Sequence, residues 1–287
     1  MTRLAILSDI HGNLPALEAV KAEIERERPD AVVVAGDVVN WGPFSREVLE
    51  RIAALGWACI RGNNEYYLLD YGTPRAPTAW SGPDFPLMAW LGEQLAGAWR
   101  TRVACWPDTV TLRFPDAAPV RVVHGAPGNP WQGIYPDLAD EDVAPMLVGI
   151  EEMVMIAGHT HLPMDRTVAG HRVLNPGSVG VPLLGRHEAT WLLLESRDWE
   201  WHAELRTVPF AVQPVLDAFN RQGFVERCGA VGRLVYREFA EARVLLDPFV
   251  RWRNTHHPGE TLSEDLLARF TDADLLDFTD DRYRVEM

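Results

Sequence analysis

Six short apolar runs in this chain each end in a glycine-rich turn that carries a side chain able to bind a metal ion. In chain order, the runs with their turns read LAILSDIHGN, AVVVAGDVVNWG, ACIRGNNE, VRVVHGAPGN, MVMIAGHTH and RVLNPGS. Helical patterns alternate with these runs, which predicts an α/β layered fold. Ligands of open α/β sheets bind beyond the carboxyl ends of the strands. We therefore expect these turns to meet at one edge of the sheet.

The turns would bring together two carboxylates, one amide oxygen and four imidazoles. These side chains are Asp9, His11, Asp37, Asn63, His124, His159 and His161. Nitrogen and oxygen ligands without a thiolate suit Mn, Fe, Zn, Ni or Co, and they argue against copper–thiolate and iron–sulfur centres. Seven ligands are more than one ion needs, so we expect two divalent ions that share one bridging carboxylate.

The charge of the chain limits its partners. The net charge is −14 over 287 residues, and Lys21 is the only lysine. This argues against binding to a nucleic-acid backbone, because phosphate contacts need clustered lysine and arginine. Two divalent ions beside Asp9 and Asp37 would leave a local positive charge, which would let an acidic chain bind phosphate.

The segment MTRLAILSDIHGN has too short an apolar stretch for a signal peptide, and no run is long enough to span a membrane. The cysteines Cys59, Cys105 and Cys228 have no CxxC spacing, so we expect neither a disulfide framework nor a zinc site. These features predict a cytoplasmic protein that does not associate with membranes.

The motif blocks resemble those of calcineurin-like metallophosphoesterases in order and approximate spacing. The matching blocks are Asp9-Ile10-His11, Gly36-Asp37, Gly62-Asn63, His124-Gly125 and Gly158-His159-Thr160-His161. The opening SDIHGN and the closing NPGSVG are most similar to the compact bacterial and archaeal phosphodiesterase branch. The resemblance implies a four-layer αββα sandwich, in which two facing mixed β-sheets are flanked by helices.

The resemblance also implies how the ligands divide between the ions. One ion would be held by Asp9, His11 and His161. The other would be held by Asn63, His124 and His159. Asp37 would bridge the two. Mn²⁺ is the first choice of metal, with Fe, Zn, Ni, Co and Mg as alternatives.

The implied reaction is hydrolysis of phosphate esters, first of all phosphodiesters, by a hydroxide that bridges the ions. Its catalytic residues would be Asp37, Asn63, Asn64 and His124. Many relatives have histidine where this chain has Asn64, and that histidine is thought to protonate the leaving group. An asparagine cannot do so, and general-acid help contributes ~10²–10⁴-fold in rate. We therefore expect a preference for acidic leaving groups, or protonation by metal-bound water or another side chain such as His187.

Other functions stay open at this point. A phosphomonoesterase or nucleotidase is the alternative within the same chemistry, and Asn64 also admits a metal-binding regulatory module without turnover. The expected partner is a small phosphorylated substrate, nucleotides included. Glu65 is expected to cap or orient its loop. Asn40 could orient a ligand or cap a turn, and Trp80 and Trp131 could wall the site or only pack their loops.

The character of the chain changes at Pro209. We predict a metallophosphoesterase domain over residues 1–208 that ends in a hairpin, with its turn at Ser196-Arg197-Asp198 and Trp199 and Trp201 on one face. Residues 209–287 have helical spacing and predict a C-terminal helical extension, in which residues 260–281 add a third helix and an acidic end. The extension would pack on the core, form a lid or form a homodimer face.

Overall fold

Ten strands form two five-stranded sheets in the computed structural model of the chain, which describes residues 1–285. The strands are β1 (Arg3–Leu7), β2 (Ala31–Val34), β3 (Ala58–Cys59), β4 (Val110–Phe114), β5 (Ala117–Val123), β6 (Val154–Ala157), β7 (Met164–Val168), β8 (His171–Asn175), β9 (Glu188–Arg197) and β10 (Glu200–Pro209).

Eleven α-helices accompany the strands over the same residues. They are α1 (Leu14–Glu27), α2 (Ser45–Leu55), α3 (Asn63–Asp70), α4 (Pro86–Gln94), α5 (Ala98–Ala104), α6 (Asp140–Val143), α7 (Gln213–Arg221), α8 (Phe224–Glu241), α9 (Leu246–His256), α10 (Glu264–Leu267) and α11 (Asp272–Phe278). Short 3₁₀ helices lie at Thr78–Ser81, Ala144–Leu147 and Asp281–Tyr283. Within residues 1–285, none of the helices is long and apolar enough to cross a membrane.

Parallel strands lie side by side in both sheets. The first sheet has the order β10-β9-β1-β2-β3, with β1, β2 and β3 parallel and β9 and β10 antiparallel. The second has the order β4-β5-β6-β8-β7, with β5, β6 and β8 parallel. Leu7 of β1 is in register with Val34 of β2, and Val34 is in register with Cys59 of β3. The turns that follow these three strands therefore begin side by side. The same holds for Val123 and Ala157 in the second sheet.

The two sheets pack face to face because alternate residues of each strand point inward. Leu4 and Ile6 of β1 are buried against Val122 of β5 and Ile156 of β6. Ala5 and the other outward-facing residues of the first sheet are instead covered by α1 and α2. The outer face of the second sheet is covered by α6 and the 3₁₀ helix after it. The predicted αββα sandwich is thus confirmed.

The C-terminal helices pack against one side of the sandwich. Phe224 of α8 lies 5.2 Å from Trp90 of α4 and 4.5 Å from Phe219 of α7, measured between ring centroids. The same apolar cluster includes Val181, which follows the last predicted motif. The packing joins residues 209–285 to the core, while the domain boundary at Pro209 stays a prediction.

Two local predictions are wrong. The single helix expected within residues 260–281 is instead two helices, α10 and α11, because the hydroxyl of Thr271 accepts a hydrogen bond from Asp274 N and starts a new helix there. The hairpin turn lies at Asp198-Trp199, both left-handed, and Arg197 still belongs to β9. Trp199 is therefore 67% exposed, whereas Trp201 is 3% exposed.

Replacing Trp201 by alanine should lower the free energy of unfolding by about 3–5 kcal/mol, as for other large aromatic residues of protein cores. Its ring packs against Phe114 between the sheets, and its Nε1 donates to Ala118 O at 2.8 Å. Urea denaturation measures the loss. Trp199→Ala is the matched control, with an expected change below about 0.5 kcal/mol. Similar losses in both variants would contradict the inter-sheet core.

Candidate metal centre

The turns after the parallel strands contain an unusual concentration of left-handed residues. The φ angles are 56° at Asp9, 47° at His11, 51° at Asp37, 69° at His159 and 60° at His161. This conformation is unfavourable for residues other than glycine, and such strain concentrates at functional sites. Five of the seven predicted ligands adopt it. The fold therefore holds these turns in shapes that isolated peptides would avoid.

Backbone contacts explain how these shapes are held. Asp9 N donates to Gly36 O at 3.1 Å, and His11 N donates to Asp37 O at 2.9 Å, so the first two turns are bonded to each other. Glycine is required where the turns approach most closely. A Cβ on Gly62 would lie 2.2 Å from Asp37 Oδ1, and one on Gly158 would lie 2.0 Å from the Ser8 hydroxyl oxygen. Side chains at these two positions would push the turns apart.

One group of candidate ligands consists of Asp9, His11 and His161. Nε2 of His161 is 3.3 Å from Asp9 Oδ1 and 3.1 Å from His11 Nε2. One donor atom from each residue lies within 4.8 Å of the others. Asp9 and His11 are buried, Asp9 completely, and His161 is partly exposed.

A second group consists of Asp37, His124 and His159, again with donor atoms within 4.8 Å of one another. Asn63 lies at the same place, since its Oδ1 is 3.1 Å from His124 Nε2 and 2.9 Å from His159 Nδ1. The residues of this group come from both sheets. Asp37 and Asn63 follow β2 and β3, whereas His124 and His159 follow β5 and β6.

Asp37 lies between the two groups. Its Oδ2 is 3.3 Å from His124 Nε2 in the second group and 3.6 Å from His11 Nε2 in the first. All seven side chains that the sequence predicted as ligands are therefore brought together. The arrangement has the form expected of two sites that share one carboxylate.

Two imidazoles are oriented by main-chain carbonyls. Nδ1 of His124 is 2.8 Å from Ala35 O, and Nδ1 of His161 is 2.8 Å from Val181 O. A proton on Nδ1 that is donated to a carbonyl leaves Nε2 free to bind a cation. In both residues it is Nε2 that faces the neighbouring carboxylate.

The electrostatics of the site indicate a demand for positive charge. Burial opposes ionisation of Asp37, yet His124 and His11 lower its pKa to about 2. Burial likewise opposes the charge of His124, but Asp37 and Asp9 raise its pKa to about 10. Burial and the charge of His124 lower the pKa of His159 to about 4, so this ring is neutral near pH 7. Without a bound cation, the protonated imidazole of His124 thus supplies positive charge that the buried carboxylates need.

The donor set fits divalent cations. Oδ1 of Asp9, which faces His11 and His161, is buried without a hydrogen-bond partner among the described residues. Buried polar atoms are ordinarily paired, so such atoms need an explanation. The mixed carboxylate, amide and imidazole donors suit Mn, Fe, Zn, Ni or Co, as the sequence indicated.

Glu65 organises the turns around Asp37. Its carboxylate accepts hydrogen bonds from Asp37 N at 2.9 Å, Val38 N at 2.9 Å and Gly62 N at 2.6 Å. Burial and the charge of Asp37 raise the pKa of Glu65 to about 7. The carboxylate joins the turn after β2 to the turn after β3, in agreement with the expected loop-orienting role.

Asn64 contacts the shared carboxylate directly. Its Nδ2 donates to Asp37 Oδ2 at 2.6 Å, and its backbone N–H donates to Asp37 Oδ1 at 2.8 Å. Asn40 Nδ2 in turn donates to Asn64 Oδ1 at 2.7 Å. The two asparagines therefore orient Asp37 through a short hydrogen-bonded chain.

A cavity of about 280 Å³ opens over the two groups. The C-terminal extension supplies part of its wall, which the sequence did not reveal. The residues it contributes are Glu238, Val244, Asp247, Arg251, Asp280 and Tyr283. The hydroxyl of Tyr283 donates to Thr160 O at 2.7 Å, between the two histidines of that motif. No local motif marks these positions, since they are defined only by contacts with distant turns.

Three other residues that the sequence suggested for the site, His187, Trp80 and Trp131, do not line the cavity. Nε2 of His187 is 2.8 Å from Phe239 O, and the ring does not line the cavity. Trp80 and Trp131 pack against Tyr67, with ring centroids at 4.6 and 5.0 Å, and Tyr67 itself lines the cavity. The two tryptophans thus support the wall from behind.

Glu65→Gln should lower the free energy of unfolding by about 1–3 kcal/mol, the usual cost of leaving buried polar groups unpaired. Glutamine has one acceptor oxygen in place of two, so backbone N–H groups that Glu65 now binds would be left unpaired. Urea denaturation of metal-free protein measures the effect. The exposed Glu50→Gln is the control, with an expected change below about 0.5 kcal/mol. Equal effects would show that Glu65 does not hold the turns.

Comparison with known proteins places this fold and site in a family. The family model described as the calcineurin-like phosphoesterase superfamily domain matches residues 2–198. The phosphodiesterase YfcE of Escherichia coli K12 is 26% identical over 216 residues, which cover 68% of this chain and 89% of YfcE. The uncharacterised protein MJ0912 of Methanocaldococcus jannaschii is 24% identical over 225 residues, which cover 69% of this chain and 84% of MJ0912.

A solved structure shows the same likeness. The metallophosphoesterase from Sphaerobacter thermophilus superposes with a TM-score of 0.65 and 25% identity, covering 84% of this chain and 100% of its own. The family model spans the six strand ends and all seven clustered side chains. The chain belongs to the calcineurin-like phosphoesterase superfamily.

Proposed function

We propose that this metal-dependent phosphoesterase hydrolyses small phosphodiesters and uses two divalent cations to do so. The observation that supports the proposal is the position of Asp37 between two groups of donor atoms, each within 4.8 Å. Asp9, His11 and His161 would hold one cation. Asn63, His124 and His159 would hold the other. Mn²⁺ is our first choice, and Fe, Zn, Ni, Co and Mg are alternatives.

The cations would supply charge neutralisation of the phosphate and a lowered pKa of bound water. In the reaction, a water oxygen forms a bond to phosphorus, one P–O ester bond breaks, and the leaving oxygen takes up a proton. The protein's own contribution is orientation. The carbonyls of Ala35 and Val181 fix the rings of His124 and His161, and Asn64 holds the carboxylate of Asp37.

The contacts of Asn64 indicate what this residue does in place of the histidine that many relatives have at this position. An amide cannot donate a proton to a leaving group, but it can hold the carboxylate that lies between the two groups. We propose that Asn64 is a positioning residue for Asp37, and that leaving-group protonation comes from water or from another side chain. The asparagine is then compatible with turnover, and does not by itself indicate a regulatory module.

The size of the cavity favours a small substrate. Its volume of about 280 Å³ is at the lower limit of the ~300–1,000 Å³ typical of ligand pockets. A small phosphate ester fits this volume better than a dinucleotide. YfcE, a relative, is named as a phosphodiesterase, which supports diesters over monoesters. A cytoplasmic location and a homodimer remain proposals from the sequence.

Turnover with and without metal tests the proposal. Protein stripped with EDTA should be inactive towards bis-p-nitrophenyl phosphate and regain activity with Mn²⁺, because neutralisation of the phosphate depends on the cations. Asp37→Ala should lower kcat/KM by about 10³-fold or more. The exposed Asp142→Ala is the control and should keep the activity. The hydrolase proposal is lost if the protein binds two ions but hydrolyses neither this diester nor p-nitrophenyl phosphate.

Asn64→His tests what position 64 controls. An added imidazole should increase turnover of diphenyl phosphate about 10-fold more than turnover of bis-p-nitrophenyl phosphate, because phenol is the poorer leaving group. The ratio of the two rates is the measurement, since any disturbance of Asp37 lowers both equally. Asn64→Gln is the control and should leave the ratio unchanged. An unchanged ratio in Asn64→His would show that this position does not govern leaving-group protonation.

A further inference from the structure

A buried carboxylate without a cationic partner lies in the wall of the cavity. Glu238 of α8 is 2% exposed and lines the same cavity as His161 and Asp37. Its Oε1 accepts hydrogen bonds from Leu245 N at 2.7 Å and Leu246 N at 2.8 Å. Its Oε2 has no hydrogen-bond partner in residues 1–285. Two backbone N–H groups therefore hold one carboxylate oxygen, and the other oxygen is buried and unpaired among the described residues.

The neighbouring charges of the C-terminal wall are already paired. Asp247 bonds Arg251 at 2.7 Å, and Asp280 bonds Arg282 at 3.2 Å. Arg251 is the one arginine or lysine that lines the cavity, as far as the described chain extends. Among the carboxylates that the extension contributes, Glu238 alone has no ion pair within residues 1–285. The wall thus has an excess of negative charge, and that excess is centred on Glu238.

Aromatic rings line the same cavity. They are those of Trp41, Tyr67, Tyr135 and Tyr283. Ring faces attract cations, and a cage of aromatic rings is the usual way in which proteins bind alkylated ammonium groups. The guanidinium of Arg282 already lies 4.3 Å from the ring centroid of Tyr135. A cavity lined by both aromatic rings and a carboxylate suits a cation with an apolar surface better than a hydrated inorganic ion.

Burial makes the charge of Glu238 costly. Loss of water raises its pKa to about 7, since the two backbone donors and His161 only partly offset it. An ionised carboxylate that is buried without a counter-ion is unfavourable. A cation brought into the cavity by a ligand would remove this penalty. Because a neutral ligand would leave this penalty in place, the cavity would bind positively charged ligands more tightly than neutral ligands of the same shape.

We propose that the wall formed by the C-terminal extension binds an alkylammonium group on the non-reacting arm of the substrate, with Glu238 as its counter-ion. The substrate class is then a small phosphodiester that carries a quaternary or alkylated amine. The turnover part of this inference rests on the proposed hydrolase function, whereas the binding part does not. Nucleotides are the less suitable class, because their additional groups are neutral or anionic.

Binding of a matched ligand pair tests the inference without turnover. Phosphocholine and 3,3-dimethylbutyl phosphate have the same shape, but only phosphocholine carries the positive charge. Calorimetry on Mn²⁺-loaded protein should give a Kd about tenfold lower for phosphocholine. Equal affinities, or no binding of either ligand, would overturn the proposal. This comparison needs no variant, so it does not depend on how a substitution affects folding.

Glu238→Gln identifies the residue responsible. The amide keeps the shape and an acceptor oxygen, but removes the charge, so the preference should fall to within about twofold. The exposed Glu226→Gln on the same helix removes the same charge outside the cavity and should keep the tenfold preference. If Glu238→Gln weakens both ligands by the same factor, the carboxylate is only structural and the assignment fails.

Hydrolysis separates this inference from the proposed function. The kcat/KM for p-nitrophenyl phosphorylcholine should exceed that for p-nitrophenyl 3,3-dimethylbutyl phosphate about tenfold. Hydrolysis of both at equal rates would overturn the inference and leave the hydrolase intact. A binding preference without hydrolysis of any diester would support the cation site and end the proposal that the substrates are phosphodiesters.

Discussion

The rest of the site depends on the contacts that the carboxylate of Asp37 makes with both groups of candidate ligands. Its Oδ2 lies within 3.6 Å of histidines from both ligand groups and also accepts from Asn64. Its backbone N–H is held by Glu65. Because Asp37 follows a strand of one sheet and His124 a strand of the other, the contact exists only when the two sheets pack. The apolar layer between the sheets is therefore also what assembles the candidate metal centre.

Strain and rigidity go together in these turns. Each left-handed residue costs of order 1–3 kcal/mol relative to an ordinary conformation, and five of the clustered side chains adopt it. Inter-turn hydrogen bonds such as His11 N to Asp37 O, and the close approach that Gly62 permits, hold these shapes in place. Ligands fixed in advance do not have to be ordered when cations or substrate bind. The strain therefore supports the chemistry that we propose.

The C-terminal helices give the site its particular character. The strand-end side chains lie within the part of the chain that matches the family model. The outer wall, with Glu238 and Tyr283, comes from a part of the chain beyond the matched family model. Substitutions in a wall built from a separate segment can alter which non-reacting group of a substrate the site accepts, without displacing the candidate ligands.

The sequence by itself determined the layered fold and which seven side chains meet. Within each sheet, side chains that directly follow parallel strands share one edge, which is a local property of the chain. That the edges of the two sheets lie together depends on how the sheets pack. It misplaced the hairpin turn, since the left-handed pair Asp198-Trp199 has no glycine to mark it. Only the tertiary structure revealed that Asn64 holds Asp37 and that Tyr283 reaches Thr160 from 123 residues away. Contacts of that range depend on how separate layers pack, and periodicity along the chain carries no record of them.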